Sequence, residues 1–479
     1  MIEELLNSSM RKINLFIPVV LACAITLGLP NWLTWNERVV LSTVLVMLWW
    51  WISEAIPMAV TALLPILIFP LTNVMSMEKV VVPYADKFVF LFLGGFLLAL
   101  AIEKHGLHKR IAFRLLDLAG NAKARILLAV MLSSYVLSMW ISNTATAMML
   151  IPIAASVAHL LAAHNHEAKF KRALVLGVAY AASIGGMATL IGTPPNVAAA
   201  GIVKAQFGEE ISFLDWMKYG VPFSLVLLLL VFLVLSKIHF KRKETIDGAH
   251  AELHSIRAGM GDISKSEKSV LLIFLGAVLC WIFQAPISKA LNVSAFNDTW
   301  IALAFGLSLF FIPNKASDPN DRSVALLEWK DTEKLSWGVL LMFGGGLALS
   351  LAFKEVGLLE RLAQWLSVVN VGSSTAYLIL LCGIGLLLTA LMSNLAMVTL
   401  FVPIVGVLAQ ANGISPAAWA IPVTLAASCD FMFPMSTPPN AIAYGTGWVK
   451  AKDMFTIGII VNVISFLLLV GLVFLSASL

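Results

Sequence analysis

Charge is scarce in this chain. Lys and Arg number 32 and Asp and Glu 27 among 479 residues, 12% together, where a soluble domain carries about 25%. With 60% hydrophobic residues and a mean hydropathy of +0.91, a water-facing surface cannot be covered, which excludes an ordinary soluble fold and places the chain in a bilayer with membrane lipids as neighbours. The net charge of +5 is small, and the basic residues cluster in loops beside apolar runs, where they orient a membrane protein. Nucleic acid is therefore excluded as a partner. Cysteine is also sparse. Cys23, Cys280, Cys382 and Cys429 fall in or beside apolar stretches without metal-ligand spacing and read as small packing residues. No nucleophile, acid/base pair or metal cluster stands out, so no enzyme and no cofactor is expected. Period-two alternation is missing as well, which leaves helices rather than a β-barrel.

Long apolar runs are what the chain has instead. Residues 14–30, 38–52, 56–72, 218–236, 269–283 and 455–476 have about the length needed to cross a bilayer. No small-residue cleavage site follows the first run, so it is expected to be a membrane helix and not a signal peptide.

Two polar patterns interrupt these runs, and each occurs twice. Ser142-Asn143 recurs as Ser393-Asn394, and Thr193-Pro194-Pro195-Asn196 recurs as Thr437-Pro438-Pro439-Asn440. Gly94, Gly95, Ala101, Gly106, Leu107 and Pro152 also meet the same residue type 251 positions later (394 minus 143), at Gly345, Gly346, Ala352, Gly357, Leu358 and Pro403. At the prolines the offset is 244 (437 minus 193), so seven residues separate the two registers. A duplicated chain with paired helix-breaking segments points to a binding site between the copies.

Loop charges set the orientation. Lys104, Lys109, Arg110, Arg114, Lys123 and Arg125 face the single acid Asp117 between residues 104 and 125, which makes this loop cytoplasmic. The next loop, with Lys169, Lys171 and Arg172, is basic too. Residues 126–163 must then enter and leave by one face, as a re-entrant hairpin with Ser142-Asn143-Thr144 near the bilayer middle. The second copy supplies an outer hairpin at 374–412 with Ser393-Asn394 at its tip. The count is 11 transmembrane helices plus two re-entrant hairpins, all α. The segments are 1–37 (N-terminal helix), 38–237 (first repeat), 238–267 (cytoplasmic linker) and 268–479 (second repeat). Segments 238–267 and 314–335 read as polar loops. Five crossings per repeat place the second copy upside down, as an inverted repeat in the cell membrane with a cytoplasmic N-terminus and an external C-terminus.

The half-helix that begins after each break aims free N–H groups and a positive dipole end at the gap, which suits a carboxylate. The half-helix that ends there offers carbonyls, which with the side-chain oxygens of Ser138, Ser142 and Asn143 suit a hard cation such as sodium. No Lys or Arg lies at a tip or a break. An anion must be held by neutral donors and dipoles, aided by bound cations. Glu54 reads as an interfacial cap, and His105, His108, His164 and His166 as solvated loop residues. The Gly94-Gly95 and Gly344-Gly345-Gly346 clusters read as close-packing surfaces. Asp430 lies inside a predicted span, where an acid is either functional or held by structural hydrogen bonds.

The motifs Ser142-Asn143-Thr144, Gly192-Thr193-Pro194-Pro195-Asn196, Ser393-Asn394 and Ser436-Thr437-Pro438-Pro439-Asn440 resemble the divalent anion/sodium symporter family, the INDY-type transporters. The resemblance runs from about Trp49 onward. It implies a homodimer, with a scaffold domain at the dimer interface and a transport domain that moves as an elevator. It implies small divalent anions, di- or tricarboxylates, between the tips, with Ser142, Asn143, Thr144, Thr193, Ser393, Asn394 and Thr437 as substrate contacts. One sodium site would use Ser138, Ser142, Asn143 and Gly192, the other Thr389, Met392, Asn394 and Ser436. The chain departs from the family at Leu395, where a second Ser-Asn-Thr is usual; Thr399 lies one turn on. The expected function is sodium-coupled symport of C4-dicarboxylates such as succinate, malate and fumarate. The lost hydroxyl keeps two alternatives open, a sodium-independent dicarboxylate or citrate antiporter and a sulfate-type divalent anion symporter.

Overall fold

The computed structural model describes residues 2–28, 33–53, 55–160, 168–239, 244–246, 249–293, 295–315, 323–358, 361, 373–390 and 392–477. Glu54, His164 and His166 lie outside them. Among the described residues the chain is all-helical, without a β-strand and with two isolated bridges, Ala122–Thr245 and Pro313–Ala325. Met77–Lys104, Phe213–Ile238, Trp337–Glu355, Asn394–Ala411 and Ala451–Phe474 are long and apolar enough to cross a membrane, and Lys265–Ile282 with Gln284–Leu291 makes a sixth candidate, bent by 79°. Several other apolar helices are shorter, among them Ser374–Thr389 and Pro416–Ala427. Polar turns end both of these helices before they reach a full crossing length.

The two hairpins form as helix pairs of matching size. Lys123–Ser138 turns at Ser142 into Asn143–Leu160, and Ser374–Thr389 turns at Ser393 into Asn394–Ala411, with arms of 16 and 18 residues in each case. Pro152 and Pro403 occupy equivalent positions in the second arms. Two broken helices accompany them. Ala168–Ala188 is followed after residues 189–193 by Pro194–Phe207, and Pro416–Ala427 is followed after 428–437 by Pro438–Gly445. In both, Thr is the extended N-cap and the prolines fill the first turn, where their missing N–H has no helical partner to lose.

Packing gathers these parts around one centre. Each broken helix leans its first half on both arms of its own hairpin: Ala168–Ala188 on the inner arms, Pro416–Ala427 on the outer. Each second half crosses to the other copy, Pro194–Phe207 to Asn394–Ala411 and Pro438–Gly445 to Asn143–Leu160. Arg172 adds an ion pair to Asp453 at 2.9 Å between the copies. Around them, Lys87–Lys104 packs on Asp298–Ser308, with Gly94 so close to the Ala302 backbone that a Cβ would overlap it. Gly345, the equivalent of Gly94, meets the Ala62 backbone in the same way, so the glycine clusters are close-packing surfaces.

The polar segments are more ordered than loops. Residues 107–117 form an amphipathic helix, Leu107–Asp117, and within 238–267 a second helix, Ala249–Gly259, packs against it. Asp117 holds Arg257 and, at 3.1 Å, His254. Arg110 holds Glu267 at 2.9 Å and the carbonyl of Gly261 at 2.9 Å. Between 314 and 335 the chain makes a 3-10 turn, Trp329–Lys334. Among the described residues, the ion pairs of Asp117 and Arg110 tie the first two of these stretches together. His108, expected in solvent, is buried, with Nδ1 at 3.2 Å from Ile102 O.

Candidate functional site

At the inner tip, Ser138 ends the first arm and donates its hydroxyl to Asn143 Oδ1 at 2.8 Å. At the outer tip, Thr389 stands in the same place and donates to Asn394 Oδ1, also at 2.8 Å. Ser142 Oγ accepts the Ala145 N–H at 3.3 Å and Ser393 Oγ the Ala396 N–H at 3.3 Å. These are helix caps. A capping serine spends a lone pair on the backbone and keeps its O–H hydrogen, so both tips present a hydroxyl donor at the positive end of a helix. Ser138 and Thr389 are buried, 0% and 1% exposed, while Ser142, Asn143, Thr144, Ser393 and Asn394 are half-buried. The tip residues are thus partly accessible, and the hydroxyls of Ser138 and Thr389 behind them are closed off.

Asn196 and Asn440 hold the two breaks. Asn196 Nδ2 donates to Gly186 O at 2.9 Å and Thr189 O at 2.8 Å; Asn440 Nδ2 donates to Asp430 O at 3.3 Å and Phe433 O at 3.1 Å. All three residues of each set are related by the 244-residue offset of the prolines. Each asparagine gives donors to two carbonyls at the end of the first half-helix and in the break, where the helical ladder stops. Thr193 and Thr437 cap the second halves and are each 6% exposed. Thr437 Oγ1 accepts the Asn440 N–H at 3.4 Å, whereas Thr193 makes no side-chain cap. Gly192 gives its N–H to Thr189 O at 3.3 Å, and Ser436 bonds within its own loop, donating to Phe433 O at 2.9 Å.

The oxygen set fits a hard cation. Thr389 Oγ1 lies 2.8 Å from Asn394 Oδ1 and 2.5 Å from Ala427 O. One hydroxyl hydrogen can serve only one of them, so three oxygens converge with a single proton among them. Hydroxyl, carboxamide and carbonyl oxygens at this spacing are what a sodium ion uses. Asn196 Oδ1 and Asn440 Oδ1 are buried and lack a hydrogen-bond partner among the described residues, again in equivalent places.

A model of the sodium:sulfate symporter transmembrane region matches residues 9–476. The chain belongs to this family. Among its relatives, the sodium-dependent dicarboxylate transporter SdcS of Staphylococcus saprophyticus is 37% identical over 466 residues, covering 95% of this chain and 89% of the relative. SdcS of Staphylococcus aureus strain NCTC 8325 is 38% identical over 454 residues, 93% and 87% of the two chains. Among solved structures, the Alcanivorax borkumensis YdaH transporter aligns with a TM-score of 0.56 over 81% of this chain and 83% of its own, at 15% identity, a likeness of fold alone.

Within this sodium:sulfate symporter family member, Ser138 meets Asn143 and Thr389 meets Asn394, while Gly192, Met392 and Ser436 hold their own turns. Leu395 is 7% exposed, tucked into packing where Thr144 is half-buried. Thr399 lies against Gly346, so its side chain is part of helix packing. The carbonyl of Ala427, the Thr189 hydroxyl on Met139 O at 2.5 Å, and the carboxamides of Asn196 and Asn440 are the contributors that sequence reasoning missed. The two asparagines were visible in the repeated Thr-Pro-Pro-Asn word. A backbone carbonyl leaves no mark in a sequence.

Proposed function

We propose that the chain is a sodium-coupled importer of C4-dicarboxylates such as succinate, malate and fumarate. It is a transporter and not an enzyme. The observation that carries this reading is the paired construction of the tips, each with a hydroxyl donor in front and a neutral oxygen cluster behind, in a chain that is 37% identical to a sodium-dependent dicarboxylate transporter. Sodium held at Ser138, Ser142, Asn143 and Gly192, and at Thr389, Met392, Asn394 and Ser436, supplies the positive charge that the absence of Lys and Arg withholds. The dicarboxylate lies between Ser142, Asn143, Thr144 and Thr193 on one side and Ser393, Asn394 and Thr437 on the other, its charge met by hydroxyls, helix ends and the two ions. Binding of the anion then requires sodium, which is the physical basis of coupling.

The fold reading that goes with it has 11 crossings and two hairpins in an inverted repeat, N-terminus inside and C-terminus outside. A hairpin arm of 16 residues is about 24 Å long, which from one edge of a bilayer about 40–45 Å thick reaches its middle. The hairpins and broken helices form a transport domain that slides as an elevator against a scaffold, and the scaffold pairs in a homodimer.

Labelled succinate uptake into proteoliposomes tests the function. An inward sodium gradient across empty vesicles should drive accumulation. Uptake that ignores sodium and needs internal succinate would make the protein an exchanger instead.

A further inference from the structure

The site just described uses neutral oxygens, yet one buried acid stands beside it. Asp430 lies in the break between Pro416–Ala427 and Pro438–Gly445, is 0% exposed, and neither carboxylate oxygen accepts a hydrogen bond of ordinary geometry among the described residues, although the Ser436 hydroxyl lies near enough to act on it. A carboxylate taken out of water without a partner is strongly disfavoured, so such a group either holds a proton or is completed by a cation.

Its place is fixed by the duplication. Asn440 holds Asp430 O and Phe433 O as Asn196 holds Gly186 O and Thr189 O, so Asp430 stands where Gly186 stands in the first copy. At Gly186 an added Cβ would run into the Asn143 carboxamide. Gly186 lies inside Ala168–Ala188 whereas Asp430 lies just past the end of Pro416–Ala427, so the equivalence rests on the backbone carbonyl that each asparagine holds, and through it Asp430 answers the glycine that faces the tip asparagine. In the second copy that asparagine is Asn394, which shares its oxygen with Thr389, itself bonded to Ala427 O three residues before Asp430. Of the donors nearby, Ser436 gives its hydrogen to Phe433 O at 2.9 Å and Tyr180 gives its hydrogen to Phe431 O at 3.0 Å; Asn462 accepts the Phe431 N–H through Oδ1 at 3.3 Å, and its buried Nδ2 bonds to nothing among the described residues, the carboxylate included.

We propose that Asp430 is a ligand of the cation at the second-copy site, so that this site is anionic where the first-copy site is neutral. The inference rests on the sodium-coupled reading above. Its consequence is order: the second-copy site takes a monovalent cation in the absence of any dicarboxylate, while the neutral first-copy site fills more weakly until the anion arrives.

The test uses purified full-length protein without dicarboxylate, its unfolding temperature followed against sodium chloride with choline chloride holding ionic strength constant. Wild type should be stabilised by sodium. Asp430→Asn should raise the half-saturating sodium concentration by about tenfold or more, yet be at least as stable as wild type in choline alone, because an unpaired charge has been removed. Asp430→Gly, which installs the first copy's residue, should do the same. An Asp430→Asn protein that answers sodium as wild type does, or that loses stability in choline alone, would overturn the proposal and assign Asp430 a structural or protonated state. Asn143→Ala separates the two levels of inference. If wild type responds to sodium and Asn143→Ala weakens the response while Asp430→Asn does not, only the Asp430 assignment falls; if wild type shows no response, sodium coupling falls and takes it along.

Discussion

Thr389 has one hydroxyl hydrogen for two oxygens, Asn394 Oδ1 and Ala427 O, and that imbalance is where a cation has most to gain. Thr389→Val removes the oxygen and keeps the shape. The expected result is loss of sodium-dependent stabilisation together with a fall of about 1–2 kcal/mol in sodium-free stability, since the partner oxygens lose a donor. Thr389→Ser should keep both properties, and a Val variant with an unaltered sodium response would remove Thr389 from the site. At this scale the sequence was informative wherever a residue type was repeated. Ser142, Asn143, Ser393 and Asn394 could be placed at the turns of the helix pairs from their words alone. Thr389 answers Ser138 by hydroxyl rather than by letter, and the resemblance to a known family was needed to point to it. Ala427 contributes a carbonyl, which any residue would supply.

The break is the element that makes the site, and an asparagine holds it. Asn440→Ala would take the side-chain donor from the carbonyls of Asp430 and Phe433, the latter keeping Ser436, and Asn196→Ala would take it from Gly186 and Thr189, the latter keeping the Gly192 N–H. Each should cost about 2 kcal/mol or more in thermal unfolding, and matching losses in the two variants would express the equivalence of the breaks. The turns that join each helix pair, at Ser142 and Ser393, were legible as polar words inside apolar runs; that each pair enters and leaves by one face is the proposal drawn from loop charge. The helices at 107–117 and 249–259 were not legible, since a short amphipathic helix and a polar loop have the same composition. Their docking depends on Asp117, whose carboxyl is held below its ordinary value of 3.8 by the Arg257 hydrogen bond, against opposing desolvation, with His254 adding to the effect. A depressed pKa means the contribution is fully present above pH 3.8 and is lost as pH falls through the lowered value. Asp117→Asn imitates that loss at neutral pH. Hydrogen exchange of the amides in 249–259 should become faster in this variant, and unchanged exchange would show that the linker docks by other contacts.

For the whole molecule, the duplication says more than either copy does. The second half of each broken helix packs on the other copy's hairpin, so the candidate site draws on both copies. The 251- and 244-residue offsets showed the copies in the sequence, but the exchange of second halves between them depends on three-dimensional packing that no offset encodes. Orientation is open to direct labelling. Single cysteines at Lys109 and Lys450, expected inside, should resist an impermeant thiol reagent in intact cells, while one at Glu209, expected outside, should react; the reverse pattern would invert the topology. The most direct measurement of the central claim, one site built jointly by two copies, is sodium-dependent succinate binding to purified wild type, Asn143→Ala and Asn394→Ala, each verified as folded. Both single variants should lose binding to the level of sodium-free wild type. Wild-type binding by either one would contradict a shared site.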